Sequence, residues 1–297
     1  MNIFDYRLPS PALQDYVRQY QIVGLSFAPS VVVPIKPYWP RPENCLGFYP
    51  RGGDVVERPN GTAQKWPTRS VVVGQQTSLV NRQPPNEFVY FQVVFQPGAL
   101  SRLTGIPAHE LTNVLEDGEA IFSPEIRLVN ERLSSTDDHL EMIDIVERFL
   151  YYLIRKQLPH SFRTDRQSID KVGQYLLQNP SRFGLARPGQ AWPGPGGASL
   201  DWLAEQACLS PKQFYNLFTQ RMGISPKLYA RIARFDQSVK LKNAQPTKDW
   251  LSIALELGYH DYQHLVRDYK EFTHLTPTLF NQRESHAPER SFGKAEI

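Results

Sequence analysis

The sequence predicts an α+β chain of two domains, a β-rich first half followed by an all-helical second half. Three observations predict it. Short runs rich in Val, Phe and Tyr, punctuated by Pro and Gly, fill residues 1 to about 122. From Ser123 the apolar residues recur at helical spacing instead. A helix–turn–helix pattern then occurs twice, about fifty positions apart, near the end of the chain. A chain of 297 residues is long enough for each half to bury a core of its own.

The elements follow in order. SVVVPI (30–35), TRSVVVGQQTSLV (68–80) and EFVYFQVVFQPGAL (87–100) read as strands, and many short strands between turn signals predict a sandwich or small barrel. In HLEMIDIVERFLYYLIRKQL (139–158), Ile143, Val146, Leu150, Leu153 and Ile154 make one amphipathic helix. A further helix spans about Ser168 to Gln178, with Ile169, Val172, Tyr175 and Leu176 on one face. SRFGLARPGQAWPGPGGA (181–198) is too dense in Gly and Pro for helix or interior strand, so it reads as an exposed loop that Phe183 or Trp192 is able to dock.

SLDWLAEQACLSPKQFYNLFTQRMGISP (199–226) and SIALELGYHDYQHLVRDYKEFTHLTP (252–277) then repeat one design. Ala204 matches Ala254, and Leu209 matches Tyr259. With one extra residue in the second turn, Phe214 matches Leu265, Phe218 matches Tyr269 and Pro226 matches Pro277. The matched positions are small or apolar, as two crossing helices require. Ser210 and Asp261 suit the N-cap of each second helix. The joining segment, Pro226 to about Asn243, spans roughly 27 Å as helix. That is the scale needed to hold two recognition helices near one turn of B-DNA apart, about 34 Å.

LAEQACLSPKQFYNLF, GISP, the basic joining helix and IALELGYHDYQHLVRDYKEF with its LTP end resemble the DNA-binding domain of AraC/XylS transcription regulators, over residues 199–283. The resemblance implies a bacterial, cytoplasmic, sequence-specific regulator or activator with two recognition helices in successive major-groove segments of double-stranded DNA. RNA polymerase is then an expected partner. More weakly, VVVGQQTS and FQPGALSRLTGIPAHELTN resemble the cupin-like effector domains of such regulators, which bind a small molecule, form a homodimer, or both. The expected domains are 1–161, for sensing or dimerisation, and 162–297, for DNA.

Carried onto this sequence, the base-reading face is Lys212, Gln213 and Asn216 in the first unit and Tyr262, Gln263 and Arg267 in the second. Arg or Lys pairs guanine O6 and N7, and Asn or Gln pairs adenine N6 and N7. Asn216 stands where the family commonly has Arg, which leaves its base open. Lys227, Arg231, Arg234 and Lys270 are the candidates for phosphate contact, which positions without reading sequence. His274 replaces the Gly that ends the second recognition helix in the family, whereas Gly223 keeps it in the first. Histidine tolerates a left-handed cap better than most residues, so only mild strain is expected there.

Composition narrows the rest. The net charge of +3 is uneven: residues 162–297 carry 18 Lys+Arg against 13 Asp+Glu, residues 1–161 carry 15 against 17. A basic second half fits a polyanionic partner. No apolar run is long enough to span a membrane, and the N-terminus lacks a signal-peptide pattern. Cys45 and Cys208 are too few for a disulfide framework or a Cys-rich zinc site. None of the seven histidines precedes residue 100 and no nucleotide-binding or nucleophile motif occurs, so no metal, cofactor or catalytic residue is expected. An enzyme with a vestigial helix–turn–helix is the remote alternative. A regulator that acts through a protein partner without an effector remains open. So does the choice between an effector pocket and plain core for Tyr38, Trp39, Phe48, Tyr49, Gln75 and Arg82.

Overall fold

The computed structural model describes residues 2–57, 61, 63–65, 68–122, 124–157, 165–183 and 198–295. Among the described residues, ten strands form two sheets. The larger has the order β1 (Ile3–Arg7), β2 (Val17–Ser26), β9 (Glu87–Phe95), β4 (Cys45–Arg51), β7 (Ser70–Val73) and β10 (Leu115–Asp117). The smaller runs β3 (Lys36–Tyr38), β8 (Val80–Gln83), β5 (Val55–Glu57) and β6 (Ala63–Lys65). The strand pairings among the described residues of both sheets are antiparallel. Among the described residues the strands do not close into one hydrogen-bonded cylinder, so the expected barrel is built as a pair of sheets.

The central strand β9 shows why. Val89, Phe91, Val93 and Phe95 point into a large apolar core, whereas Phe88, Tyr90 and Gln92 alternate to the opposite face. A strand buried on both faces reads as a continuous apolar run, as EFVYFQVVF does. Gly47 on β4 is small for a reason: a Cβ there would sit 2.3 Å from the Tyr90 hydroxyl. SVVVPI is not a strand. Residues 31–35 run as irregular backbone held by a Val31 N–H to Ala28 bond and by the Asn86 amide, with Val32 84% exposed. β-branched composition promises a strand only where a neighbouring strand is available to pair.

Helices α1 (Ala99–Thr104), α2 (Gly118–Phe122), α3 (Pro124–Ser134) and α4 (His139–Gln157) follow the sheet. The predicted run 87–100 therefore divides at Gly98, whose φ of 76° turns strand into helix. Met142, Ile145, Val146, Phe149, Leu150 and Leu153 of α4 join the sheet core, with Ile143 and Ile154 at its margin.

A second core gathers α5 (Asp165–Gln178), α6 (Leu200–Gln206), α7 (Pro211–Met222), α8 (Pro226–Ala244), α9 (Trp250–Glu256), α10 (Tyr262–Thr273) and α11 (Pro277–Glu284). Phe183 packs against it and bridges to Ala198. Residues 184–197 of the predicted loop, including Trp192, lie outside the described residues.

The two cores are fastened together by polar contacts. Asp170 on α5 receives Arg221 of α7 at 2.8 Å and Arg102 of α1 at 3.2 Å. The Trp39 indole N–H donates to Asp236 of α8 at 2.8 Å, and its ring meets Phe280 edge-on. Arg283 of α11 donates to Asn81 of β8 at 2.8 Å.

Candidate nucleic-acid interface

The repeat becomes two helix–turn–helix units of matching element order. In the first, α6 and α7 are joined through Cys208, and in the second α9 and α10 through Gly258; both turn residues have positive φ, 55° and 74°. Leu209 N–H closes on Ala204 carbonyl and Tyr259 N–H on Ala254 carbonyl, each at 2.9 Å. Ala204, Ala254, Phe214, Phe218, Leu265 and Tyr269 are all buried, as the matching pattern requires.

Caps fix where each helix starts. Ser210 accepts from Gln213 N–H, and the Gln213 side-chain oxygen accepts from Ser210 N–H in return. Asp261 accepts from His264 N–H at 2.7 Å, and that bond lowers its carboxyl pKa. The C-terminal ends are set by Gly223 (φ 90°) and His274 (φ 60°), both left-handed. Between the units α8 runs 19 residues, about 28 Å.

The predicted readers are presented outward: Lys212, Gln213 and Asn216 on α7 and Gln263 and Arg267 on α10 are exposed, and Tyr262 is half-buried. Gln213 spends its oxygen on the cap and offers its amide nitrogen. Lys227 and Lys270 are exposed as well.

Two predicted phosphate contacts are corrected. Arg234 is buried, with its guanidinium 4.3 Å over the Tyr259 ring and a bond to Gly258 carbonyl. Arg231 is tied to Asp268 at 2.7 Å and to Glu271 at 2.6 Å, and Tyr259 hydroxyl donates to the other Asp268 oxygen. Burial works against the Arg231 charge, but the bonds from Glu271 and Asp268 outweigh it and raise its pKa. Arg231 thus ties α8 to α10, and Arg234 ties α8 to the turn before it. Such pairs are invisible in sequence because the partners are 37 and 40 residues away.

His264 was not singled out as a reader. It lies edge-on to Tyr259 in the first turn of α10, and burial followed by the Arg234 charge lowers its pKa below 6.5. Both causes favour the neutral imidazole. A folded pKa below the unfolded one contributes stability above pH 6.5 that is lost on acidification. In a proton-NMR titration of the folded protein, His264 should titrate below the ordinary histidine value of 6.5.

The predicted pocket residues separate. Phe48 is in the sheet core, Trp39 belongs to the helical core, and Gln75 is buried, donating to Arg41 and Gln76 carbonyls. Of the two readings open for these three, pocket or core, the buried positions favour core. Tyr38 and Arg82 do line a cavity, and Tyr49 stands behind it, accepting from Arg82 at 2.8 Å. Asp54, Tyr90, Gln21 and Gln92 line it too and are not legible in sequence, because they reach it from three different segments. Cys45 is buried and bonded to Gln92, and burial pushes its thiol well above the ordinary value, so it holds little reactive thiolate.

Residues 203–283 match the model of a helix-turn-helix domain family. These residues form a helix-turn-helix domain of the AraC type. The AraC-type domain is accompanied by a second match, residues 6–117, to a domain family of unknown function, DUF6597. The chain is similar to an uncharacterized HTH-type transcriptional regulator of Haemophilus influenzae, 33% identical over 91 residues, which are 29% of this chain and 28% of that protein. It thus spans about 28% of the length of that relative. A Photobacterium leiognathi protein named "Probable transcriptional regulator LumQ" is 24% identical over 181 residues, 59% of this chain and 67% of that one. The crystal structure of ToxT from Vibrio cholerae aligns with 92% of this chain and 99% of its own, at 10% identity and a TM-score of 0.46. No helix among the described residues is long and apolar enough to cross a membrane.

Proposed function

We propose that this protein is a sequence-specific DNA-binding transcription regulator that reads two short elements about one helical turn apart. The observation that carries the reading is the pair of matched units whose recognition helices expose their N-terminal halves while their C-terminal halves are packed. In this reading Gln263 and Arg267 are the principal readers, Tyr262 flanks them, and Lys212, Asn216 and the Gln213 amide read the other element. Lys227 and Lys270 take phosphates. Arg231 and Arg234 hold α10 in place.

The sheet domain, residues 1–161, is the regulatory half, and residues 162–297 the DNA-binding half. Control through the regulatory half is by a small-molecule effector or by homodimerisation, with RNA polymerase as the downstream partner in the cytoplasm. No catalytic role is assigned to any residue.

Selection of genomic fragments by the purified protein, followed by binding of wild type and Arg267→Ala to the recovered site, tests this. The expected site has two elements about 34 Å apart. The variant should lose about 1–3 kcal/mol of binding and relax its preference at one position. Weak, uniform, salt-sensitive binding to every fragment would overturn sequence reading.

A further inference from the structure

The two helix–turn–helix units share one apolar match that the crossing of helices does not account for. With the offset that pairs Phe214 with Leu265 and Phe218 with Tyr269, Tyr215 pairs with Val266. The first two pairs are apolar because they are buried. Tyr215, however, is 45% exposed, and Val266 is half-buried. Leu217 and Tyr262, also half-buried, pack against the helical core, whereas among the described residues Tyr215 and Val266 are no part of it. Of the positions from Lys212 to Gln220 that are not buried, this is the one pair apolar in both helices. A single exposed apolar side chain is ordinary, but the same exception at the same place in two copies calls for a shared partner.

The place is informative. Tyr215 and Val266 are each the fifth residue of a 12-residue helix, α7 or α10. Each directly precedes a base-reading candidate, Asn216 or Arg267. Residues three and four apart are neighbours on a helix. Tyr215 is therefore flanked by Lys212 and Thr219, and Val266 by Gln263 and Lys270. Both apolar side chains thus stand in the half of the helix that enters the major groove, with a lysine on the same face. That cationic setting suits DNA and not an apolar protein partner.

The major groove offers such side chains one apolar group, the 5-methyl of thymine. Every other group on its base edges is a hydrogen-bond donor or acceptor, which neither a valine nor the face of a tyrosine ring can pair. We infer that Tyr215 and Val266 each read a thymine by covering its 5-methyl group, one in each element of the DNA site. This rests on the two-element reading proposed above and adds to it the identity of one base per element.

Full-length protein is titrated by fluorescence anisotropy with the selected DNA site, with a scrambled site, and with selected sites in which deoxyuridine replaces one thymidine at a time. That replacement removes the methyl group and keeps the base pair. In the wild type, one replacement in each element is expected to weaken binding about fourfold, the value of one buried methylene-sized group. Tyr215→Ala should lose the sensitivity in one element and keep it in the other, and Val266→Ala should do the reverse. Tyr215→Phe should retain both sensitivities. Each effect is a ratio of two affinities of one protein, so a loss of stability in a variant does not mimic it.

Equal affinity of the wild type for selected and scrambled sites would sink the reading of sequence itself, and these contacts with it. Preference for the selected site keeps that reading and isolates the contacts. They are then overturned by a wild type indifferent to every thymine methyl, or by alanine variants that keep the full effect in both elements.

Discussion

Asp170→Ala is expected to lower the stability of the folded chain by about 3–5 kcal/mol, the cost of breaking a buried ion pair by removing one partner. The Arg221 side chain is 5% exposed and directs both its Nε and Nη2 to Asp170. Without the carboxylate that guanidinium stays buried and uncompensated. Arg102 suffers less, because it keeps the Asp15 carbonyl and lies 4.2 Å over the Tyr16 ring. Asp170 is also crowded: a Cβ on Gly98 would lie 2.0 Å from its Oδ1, so the backbone at Gly98 has been brought close to this carboxylate. Urea unfolding followed by circular dichroism checks the magnitude. Because Asp170 joins α1 to α7, the unfolding transition of the variant should also be broader than that of the wild type. A loss below about 1 kcal/mol would mean that Arg221 finds water or another acceptor.

Phe235→Ala is the second large effect, about 3–5 kcal/mol for truncating a fully buried phenylalanine. Its ring lies 4.8 Å from Tyr269, 5.2 Å from Phe272 and 6.3 Å from Phe280, where α8 meets α10 and α11. Removing it leaves a void under the second recognition helix and none under the first, whose core is Phe214, Phe218 and Tyr229. At temperatures where the variant remains folded, footprinting should show the second DNA element losing protection before the first. Leu251→Ala, at a side chain 50% exposed on α9, is the control and should change stability by less than about 0.5 kcal/mol.

The helical half was legible because its pattern is local. Small residues at helix crossings, apolar residues four apart and a short polar cap at each turn are all set within a dozen positions, and the two copies check each other. His274 was legible for the same reason, since a left-handed cap is a demand on one residue. The sheet half was less so. Runs rich in Val, Phe and Tyr located β9 and the β7–β8 region, but SVVVPI has the residues of a strand and no partner strand.

The arginines of α8 show a second limit. On a helical wheel Arg231 and Arg234 are surface charges, and only the fold brings Asp268 and Tyr259 to them. The pocket shows a third. Tyr38 and Trp39 are adjacent, yet one faces the cavity and the other enters the helical core, because the strand β3 ends between them. Asp54 lies in a turn segment between strands, with nothing in its neighbours to mark it.

One pair of hydrogen bonds reaches further than its size suggests. Thr112 hydroxyl donates to the carbonyl of Gly223, at the end of α7, at 2.7 Å. Leu79 N–H donates to the carbonyl of Phe272, near the end of α10, at 2.8 Å. The two loops that make these bonds are themselves tied, since Asn113 accepts from Thr77 N–H at 2.8 Å and its N–H reaches Gln75 carbonyl at 2.9 Å. The reading helices are therefore linked twice, by α8 on one side and by this stitched pair of loops on the other. A single strut leaves two bodies free to twist about it, but a closed ring removes that freedom. The separation and mutual tilt of the two readers are a joint property of both halves of the chain, and a shift in either loop changes the pitch at which the pair meets its DNA.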